Sequence, residues 1–201
     1  MATCREGAYV AVKILIAEAK YREMREIQIM QELASHHARP KHMVHLLDNL
    51  EIKSPNGFHA CLVFELLGPN IPDTIDARFP SGRLPGELAK AIAKQSLIGL
   101  DVLHQNGIGH GDLHTRNLAF TLPYLGSLTE AEFMEMLGKP EIGHIRRHDG
   151  KLLESGIPKY VVKPTSHLNQ YQNSAPTIKI IDFGQSFYPL QFPKHYIPRY
   201  L

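Results

Sequence analysis

The stretch His110-Gly111-Asp112-Leu113-His114-Thr115-Arg116-Asn117 restricts this chain more than any other, because it sets a polar, glycine-bearing loop directly before the apolar triplet Leu118-Ala119-Phe120. Polar chain between regular elements must face solvent or find partners, and such loops are where sites are built. Upstream, Glu87 to Gln105 carries Leu88, Ile92, Leu97, Leu100 and Leu103 and stops at Asn106-Gly107, which predicts a deeply packed helix ended by a cap pair. Downstream, Thr177 to Gly184 (TIKIIDFG) reads as a second short strand ending at Asp182. Asp112, Asn117 and Asp182 would then meet at strand ends as an oxygen-rich cluster. Hard cations such as Mg²⁺ take oxygen ligands together with substrate phosphates, so the cluster points to phosphoryl transfer, with Asp112 suited to the base and Asp182 to the metal.

The first part of the chain has a different texture. Residues 9 to 16 (YVAVKILI) read as a strand in which Lys13 is the only charge. Residues 18 to 34 follow without Gly or Pro, and Met24, Ile27, Met30 and Ala34 fall at helical spacing. Pro40 breaks that pattern, after which two apolar runs, 43 to 52 and 58 to 65, are joined by Ser54-Pro55-Asn56-Gly57, a hairpin signal. Gly68-Pro69-Asn70 and Pro72 mark residues 66 to 72 as a linker between a small first lobe and a helical second one. Residues 121 to 176 read as an insertion, with a helix-like acidic patch at 129 to 137 and Pro158, Pro164 and Pro176 in mixed polar chain. From Tyr188 the chain is aromatic and Pro-rich, without periodicity.

Composition narrows the function classes. Among 201 residues, 22 Lys and Arg balance 20 Asp and Glu for a formal charge of +2, which provides no basic face for nucleic acid. An apolar fraction of 43% with 21% charged residues is that of a folded chain. The longest aliphatic stretches, 14 to 17 and 60 to 64, fall far short of the roughly 18 to 20 apolar residues of a bilayer span, and no apolar signal segment stands at the amino terminus, so no membrane association is expected. Cys4 and Cys61 have no C-x-x-C spacing and build neither a disulfide framework nor a zinc site, which fits a reducing compartment inside the cell. The twelve histidines, His36, His37, His42 and His45 among them, are scattered without paired ligand spacing, which argues against a zinc hydrolase.

Ala11-Val12-Lys13, Arg25 to Met30 (REIQIM), His110 to Asn117 and Asp182-Phe183-Gly184 stand in the chain order of the protein-kinase signature set, and the chain resembles a eukaryotic-type protein kinase. Residues 57 to 70 (GFHACLVFELLGPN), the inserted segment and Gly184 to Phe187 are similar to the SR-protein kinases, particularly fungal-type members. The resemblance implies an α+β, two-lobed protein-kinase-like fold, with a partial β-rich lobe over residues 1–68 and a mainly helical lobe over 69–201 that carries the insertion 121–176. It implies ATP and Mg²⁺, transfer of the γ-phosphoryl group to protein Ser or Thr, an Arg/Ser-rich substrate, and a place in the cytoplasm or nucleus.

Roles follow residue by residue. Lys13 would reach the α and β phosphates, held by Glu26, for which Glu23 on the same broad helix face is the rival. Phe64 would stand behind the adenine, and the backbone of Glu65 and Leu67 would hydrogen-bond it. Asp112 resembles the catalytic base, and Asn117 and Asp182 the magnesium ligands. Gly111 stands where many protein kinases carry Arg, and His114 where serine/threonine kinases carry a Lys that contacts the γ-phosphate, a charge that Arg116 could supply instead. No G-x-G-x-x-G precedes Lys13 and no A-P-E-like segment follows Gly184, so the resemblance is to a shortened fold without the phosphate-covering loop and with an incomplete second lobe. Two other functions stay open: a catalytically impaired ATP-binding or scaffold module, and a small-molecule phosphotransferase of the aminoglycoside or choline kinase type, in which His is usual two residues after the Asp.

Overall fold

The computed structural model of the chain describes residues 2–3, 9–17, 20–35, 40–164 and 176–189. Cys4, His36, His37 and the tail prolines Pro193 and Pro198 lie outside the described residues, as do the side chains of Glu23 and Met24. Strands β1 (Ala2–Thr3), β2 (Tyr9–Ile14), β3 (Leu46–Ser54) and β4 (Gly57–Glu65) form an antiparallel sheet in the order β1-β2-β4-β3. The expected hairpin is β3–β4, turned at Pro55-Asn56, with Ser54 Oγ accepting from the Asn56 N–H at 3.0 Å. β4 is an inner strand, flanked by β2 and β3, and its Cys61, Leu62 and Val63 are buried. Helix α1 (Lys20–Ser35) buries Glu26, Ile29, Met30 and Leu33, positions three or four apart that share one face.

The linker is shorter than its composition predicts. Asn70 caps helix α2 (Ile71–Arg78) through its side-chain oxygen, which accepts from the Asp73 N–H at 3.0 Å, and Pro72 sits in the first turn, where its missing N–H costs nothing. Proline there starts a helix rather than breaking the chain. Helix α3 (Gly86–Gln105) ends at Asn106, followed by Gly107 in a positive-φ turn. Within α3, Gly99 lets the helix press on the strand below: a Cβ there would meet Ile180 Cδ1 at 2.8 Å.

Strand β5 (Leu118–Phe120) pairs antiparallel with a later strand, Ile178–Ile180, and all six residues are buried. Between them the insertion folds as a 3-10 turn (Pro123–Ser127), helix α4 (Glu130–Leu137) and a hairpin of β6 (Ile142–His144) with β7 (Tyr160–Val162), which makes Ile178–Ile180 strand β8. Thr129 and Glu132 close a capping box on α4. The insertion reaches the small sheet twice: Phe133 stacks on Tyr9 with ring centroids 4.0 Å apart, and Asn56 Nδ2 donates to the Gly156 carbonyl at 3.0 Å.

The sheet and helical layers share one core. Residues after α1 run beside β8, with Val44 N–H donating to the Ile180 carbonyl at 3.0 Å, Ile180 N–H to the His42 carbonyl at 2.9 Å, and His42 Nδ1–H to the Ile178 carbonyl at 3.0 Å. The crossing chain is held as well, by Gly68 N–H on the Phe120 carbonyl at 2.7 Å and Phe120 N–H on the Pro69 carbonyl at 3.1 Å. Ile29, Met30 and Leu33 of α1 thereby join Leu103, Ile180 and Phe183 in a single apolar cluster. Among the described residues no helix is long and apolar enough to cross a membrane. Cys61 is a buried free thiol.

Candidate active site

The lone strand cation has partners on both sides. Lys13 Nζ donates to Glu26 Oε1 and Oε2 at 2.9 and 3.0 Å and to Asp182 Oδ1 at 2.8 Å, which brings β2, α1 and the end of β8 to one point. Glu26 is only 4% exposed, and a buried carboxylate is tolerated only when paired. Burial works against the charge on Lys13, but its hydrogen bonds to Asp182 and Glu26 outweigh that and hold its pKa above the ordinary lysine value.

The polar loop is organised by a buried histidine. His110 Nε2–H donates to the Ile181 carbonyl at 3.0 Å, while Nδ1 accepts from the Asp112 N–H at 3.3 Å; a carbonyl can only accept and an N–H only donate, so the ring is the neutral Nε2–H tautomer. Burial pushes its pKa down, against the raising influence of the Ile181 hydrogen bond and the Asp182 and Asp112 carboxylates. The ring also lies 5.1 Å from that of Phe183. The Asp112 backbone is fixed from the other side by Asn117, whose Nδ2 donates to the Asp112 carbonyl at 2.9 Å and whose own carbonyl accepts from the Ile181 N–H at 3.0 Å. Held at the backbone, the Asp112 carboxylate is left half-exposed, with His114 Nε2 at 3.7 Å. His114 Nδ1 accepts from the Arg116 N–H at 3.2 Å, and the Arg116 guanidinium lies 3.7 Å from Asp73 at the start of α2, both side chains largely exposed.

Asp182 has φ 62° and ψ 77°, the one positive φ outside glycine among the described residues. The left-handed turn sends its side chain toward Lys13 while Phe183, next in the 3-10 turn Phe183–Gln185, is buried in the core. Burial opposes ionisation of Asp182, but the hydrogen bond and charge of Lys13, with the Gly184 N–H, prevail and hold its carboxyl below the usual range. The donor set suits a hard cation. Asn117 has spent its amide nitrogen on Asp112 and retains its carbonyl oxygen, and Asp182 stays ionised and half-exposed.

Phe64 and Leu67 are both partly buried and packed against the core. The Leu67 N–H has no protein acceptor among the described residues, as a purine-binding donor requires. Glu65 makes side-chain bonds that its expected backbone role does not call for. Its Oε1 accepts from Lys179 Nζ at 2.5 Å and from the His45 N–H at 2.7 Å, and its own N–H donates to the His45 carbonyl at 3.2 Å. Lys179 was not among the residues the motifs single out. Its signal was available, because it is the only charge in Thr177 to Ile181, as Lys13 is in its strand.

No protein-family model matches the chain. Among curated proteins it is 40% identical over 115 residues to protein kinase dsk1 of Schizosaccharomyces pombe, covering 54% of this chain and 21% of that protein. It is 40% identical over 116 residues to serine/threonine-protein kinase SRPK of Physarum polycephalum, covering 56% of this chain and 27% of that one. Against serine/threonine-protein kinase SKY1 of Saccharomyces cerevisiae identity is 30% over 153 residues, covering 71% of this chain and 20% of the relative. The chain therefore spans less than a third of each of these relatives. Among solved structures, the crystal structure of a kinase domain superposes with a TM-score of 0.58 over 94% of this chain and 47% of that one, at 22% identity. The fold is thus α+β and protein-kinase-like, and over half or more of its length the chain is similar to serine/threonine protein kinases of the SR-protein-kinase type.

Proposed function

We propose that the chain binds ATP with Mg²⁺ and transfers the γ-phosphoryl group to a Ser or Thr hydroxyl of a protein, inside the cell. The observation that carries this is the meeting of Lys13, Glu26 and Asp182 beside a loop that immobilises the Asp112 backbone and leaves its carboxylate exposed. Residues 1–68 supply Lys13, Glu26 and the purine-facing edge at Phe64, Glu65 and Leu67, and residues 69–201 supply the rest. In the transfer, the hydroxyl oxygen bonds to the γ-phosphorus, the bond from that phosphorus to the β–γ bridging oxygen breaks, and ADP leaves. Asp112 orients the hydroxyl and takes its proton. Lys13 neutralises the α and β phosphates, and Glu26 keeps the ammonium at the right height. Asn117 and Asp182 would hold Mg²⁺, which supplies charge neutralisation between the phosphates. Arg116 adds positive charge on the γ-phosphate side. An Arg/Ser-rich protein substrate rests on similarity to the SR-protein kinases.

The test is a thermal-shift titration with Mg²⁺-ATP on the wild-type chain and on Asp182→Asn, followed by labelled-phosphate transfer to a basic Ser/Arg peptide, an amino alcohol and an aminosugar. Ligand bound only by the folded state raises stability as RT ln(1 + [L]/Kd). A shift weakened by Asp182→Asn with transfer to the peptide supports the proposal. Binding without transfer assigns the chain to nucleotide-binding modules, and transfer to a small amine assigns it to the small-molecule phosphotransferases.

A further inference from the structure

Lys179 lies in the middle of β8, 7% exposed, between Ile178 and Ile180, which are fully buried. A buried ammonium needs an anion, and Glu65, distant in sequence, is its ion-pair partner at 2.5 Å. The same Glu65 oxygen accepts the His45 N–H, and its backbone N–H returns a bond to the His45 carbonyl. One carboxylate therefore gathers three segments: the chain leaving α1, the end of β4, and β8. Each is joined in sequence to an element that carries or approaches a residue of the candidate site. α1 carries Glu26, β4 runs on to Leu67, and β8 reaches Asp182 three residues after Lys179, about 10 Å along extended chain.

A buried pair of this kind is often no more stabilising than apolar residues of equal volume, so stability alone does not explain a charged side chain here. What an ion pair supplies and apolar contact does not is a fixed distance and direction between the groups it joins. We propose that Lys179 is a positioning residue: by holding the Glu65 carboxylate it keeps the purine-facing end of β4 in register with the strand that delivers Asp182. The nucleotide part of this inference rests on the proposed ATP site, whereas the mechanical part concerns the protein without ligand.

The experiment uses the full chain and Lys179→Met, Lys179→Arg and the double variant Lys179→Met/Glu65→Gln, which leaves no lone charge and so folds if the single variant does not. Amide hydrogen exchange is followed without nucleotide, and Kd is measured for adenosine and for Mg²⁺-ATP. In the Met-bearing variants, exchange at residues 66–68 and 182–184 should rise together, and adenosine and Mg²⁺-ATP should weaken by the same factor, about tenfold, because preorganisation is lost at the purine end. Lys179→Arg should restore both. Unchanged exchange at 66–68, with the effect confined to a lower unfolding midpoint, would overturn the proposal. Failure of the wild-type chain to bind either ligand would sink the ATP site instead, and the exchange data would still decide whether Lys179 couples the two segments.

Discussion

A Cβ placed on Gly111 would stand 2.3 Å from the carbonyl oxygen of Gln185. The backbone just before Asp112 is pressed against the chain that follows Asp182, so the two carboxylate-bearing segments touch through bare backbone. Gly111 also has φ +80°. No side chain fits there, arginine included, which gives a steric reason for one departure from the usual protein-kinase pattern. Gly111→Ala should lower the unfolding free energy by about 2 kcal/mol or more, combining the left-handed penalty with displacement of Gln185. Urea unfolding of the two proteins measures it, and a loss below about 0.5 kcal/mol would refute the contact.

Lys13→Met strips the partner from a buried carboxylate. Because Lys13 itself is 36% exposed, the expected loss is about 2 to 3 kcal/mol, below the full cost of breaking a dry pair. Lys13→Met/Glu26→Gln should recover most of it, because the charge left without Lys13 is then Asp182, which is half-exposed to water rather than buried. A double-mutant cycle by denaturant unfolding reads the coupling directly, and additive losses would show that Lys13 and Glu26 do not depend on each other.

Two titrations shape the acid side of the stability profile. His110 has a folded pKa below its ordinary 6.5, so between those values the unfolded chain binds more protons and stability falls as pH drops below 6.5. Asp182 also has a depressed folded pKa; its contribution is full above its ordinary 3.8 and fades as pH falls through the lower folded value. Lys13, with a raised pKa, contributes fully below 10.5 and loses its contribution only above that. Imidazole nitrogen NMR at pH 6.5, where an ordinary imidazole is half charged, should show His110 mainly neutral with the proton on Nε2. A charged ring at that pH would contradict the hydrogen-bond pattern around Asp112.

Phe133 of the insertion is fully buried and stacks on Tyr9 of the small sheet. Phe133→Ala should cost about 3 to 5 kcal/mol, as deletion of a buried aromatic ring does, and should raise hydrogen exchange in β2. An effect limited to α4 would show that the insertion folds on its own.

Arg116 and Asp73 are exposed and 3.7 Å apart, so their pairing contributes little to stability. Arg116→Ala should leave unfolding within about 0.5 kcal/mol of wild type yet cut peptide phosphorylation about a hundredfold, if the guanidinium meets the γ-phosphate. Unaltered turnover would remove Arg116 from the proposed machinery.

Where local pattern and long-range structure agree, the chain is legible from its residues. The charge of Lys13 in an apolar strand, followed by an amphipathic helix, calls for a carboxylate partner there, which the protein-kinase resemblance names as Glu26 over its rival Glu23, and the β3–β4 hairpin is written in Ser54 to Gly57. Helix α2 was hidden because Gly68, Pro69 and Pro72 read as a linker, although Asn70 with Pro72 is also a helix start. The β6–β7 hairpin was hidden because its strands are three residues long and exposed, so no apolar alternation marks them. Lys179 and Glu65 are separated by most of the helical region, and no local pattern reports a partner at that distance.

The crossing between the layers is held at both ends, at Glu65 by His45 and at Gly68 by Phe120. Only Leu66 and Leu67 lie between the two clamps. A two-residue span fixed at both ends has almost no slack, so it sets the separation between the end of β4 and the start of the helical layer. The Leu67 N–H lies within that span, so the position of this donor is dictated by backbone bonds on either side of it, independently of the side chains that line the cleft.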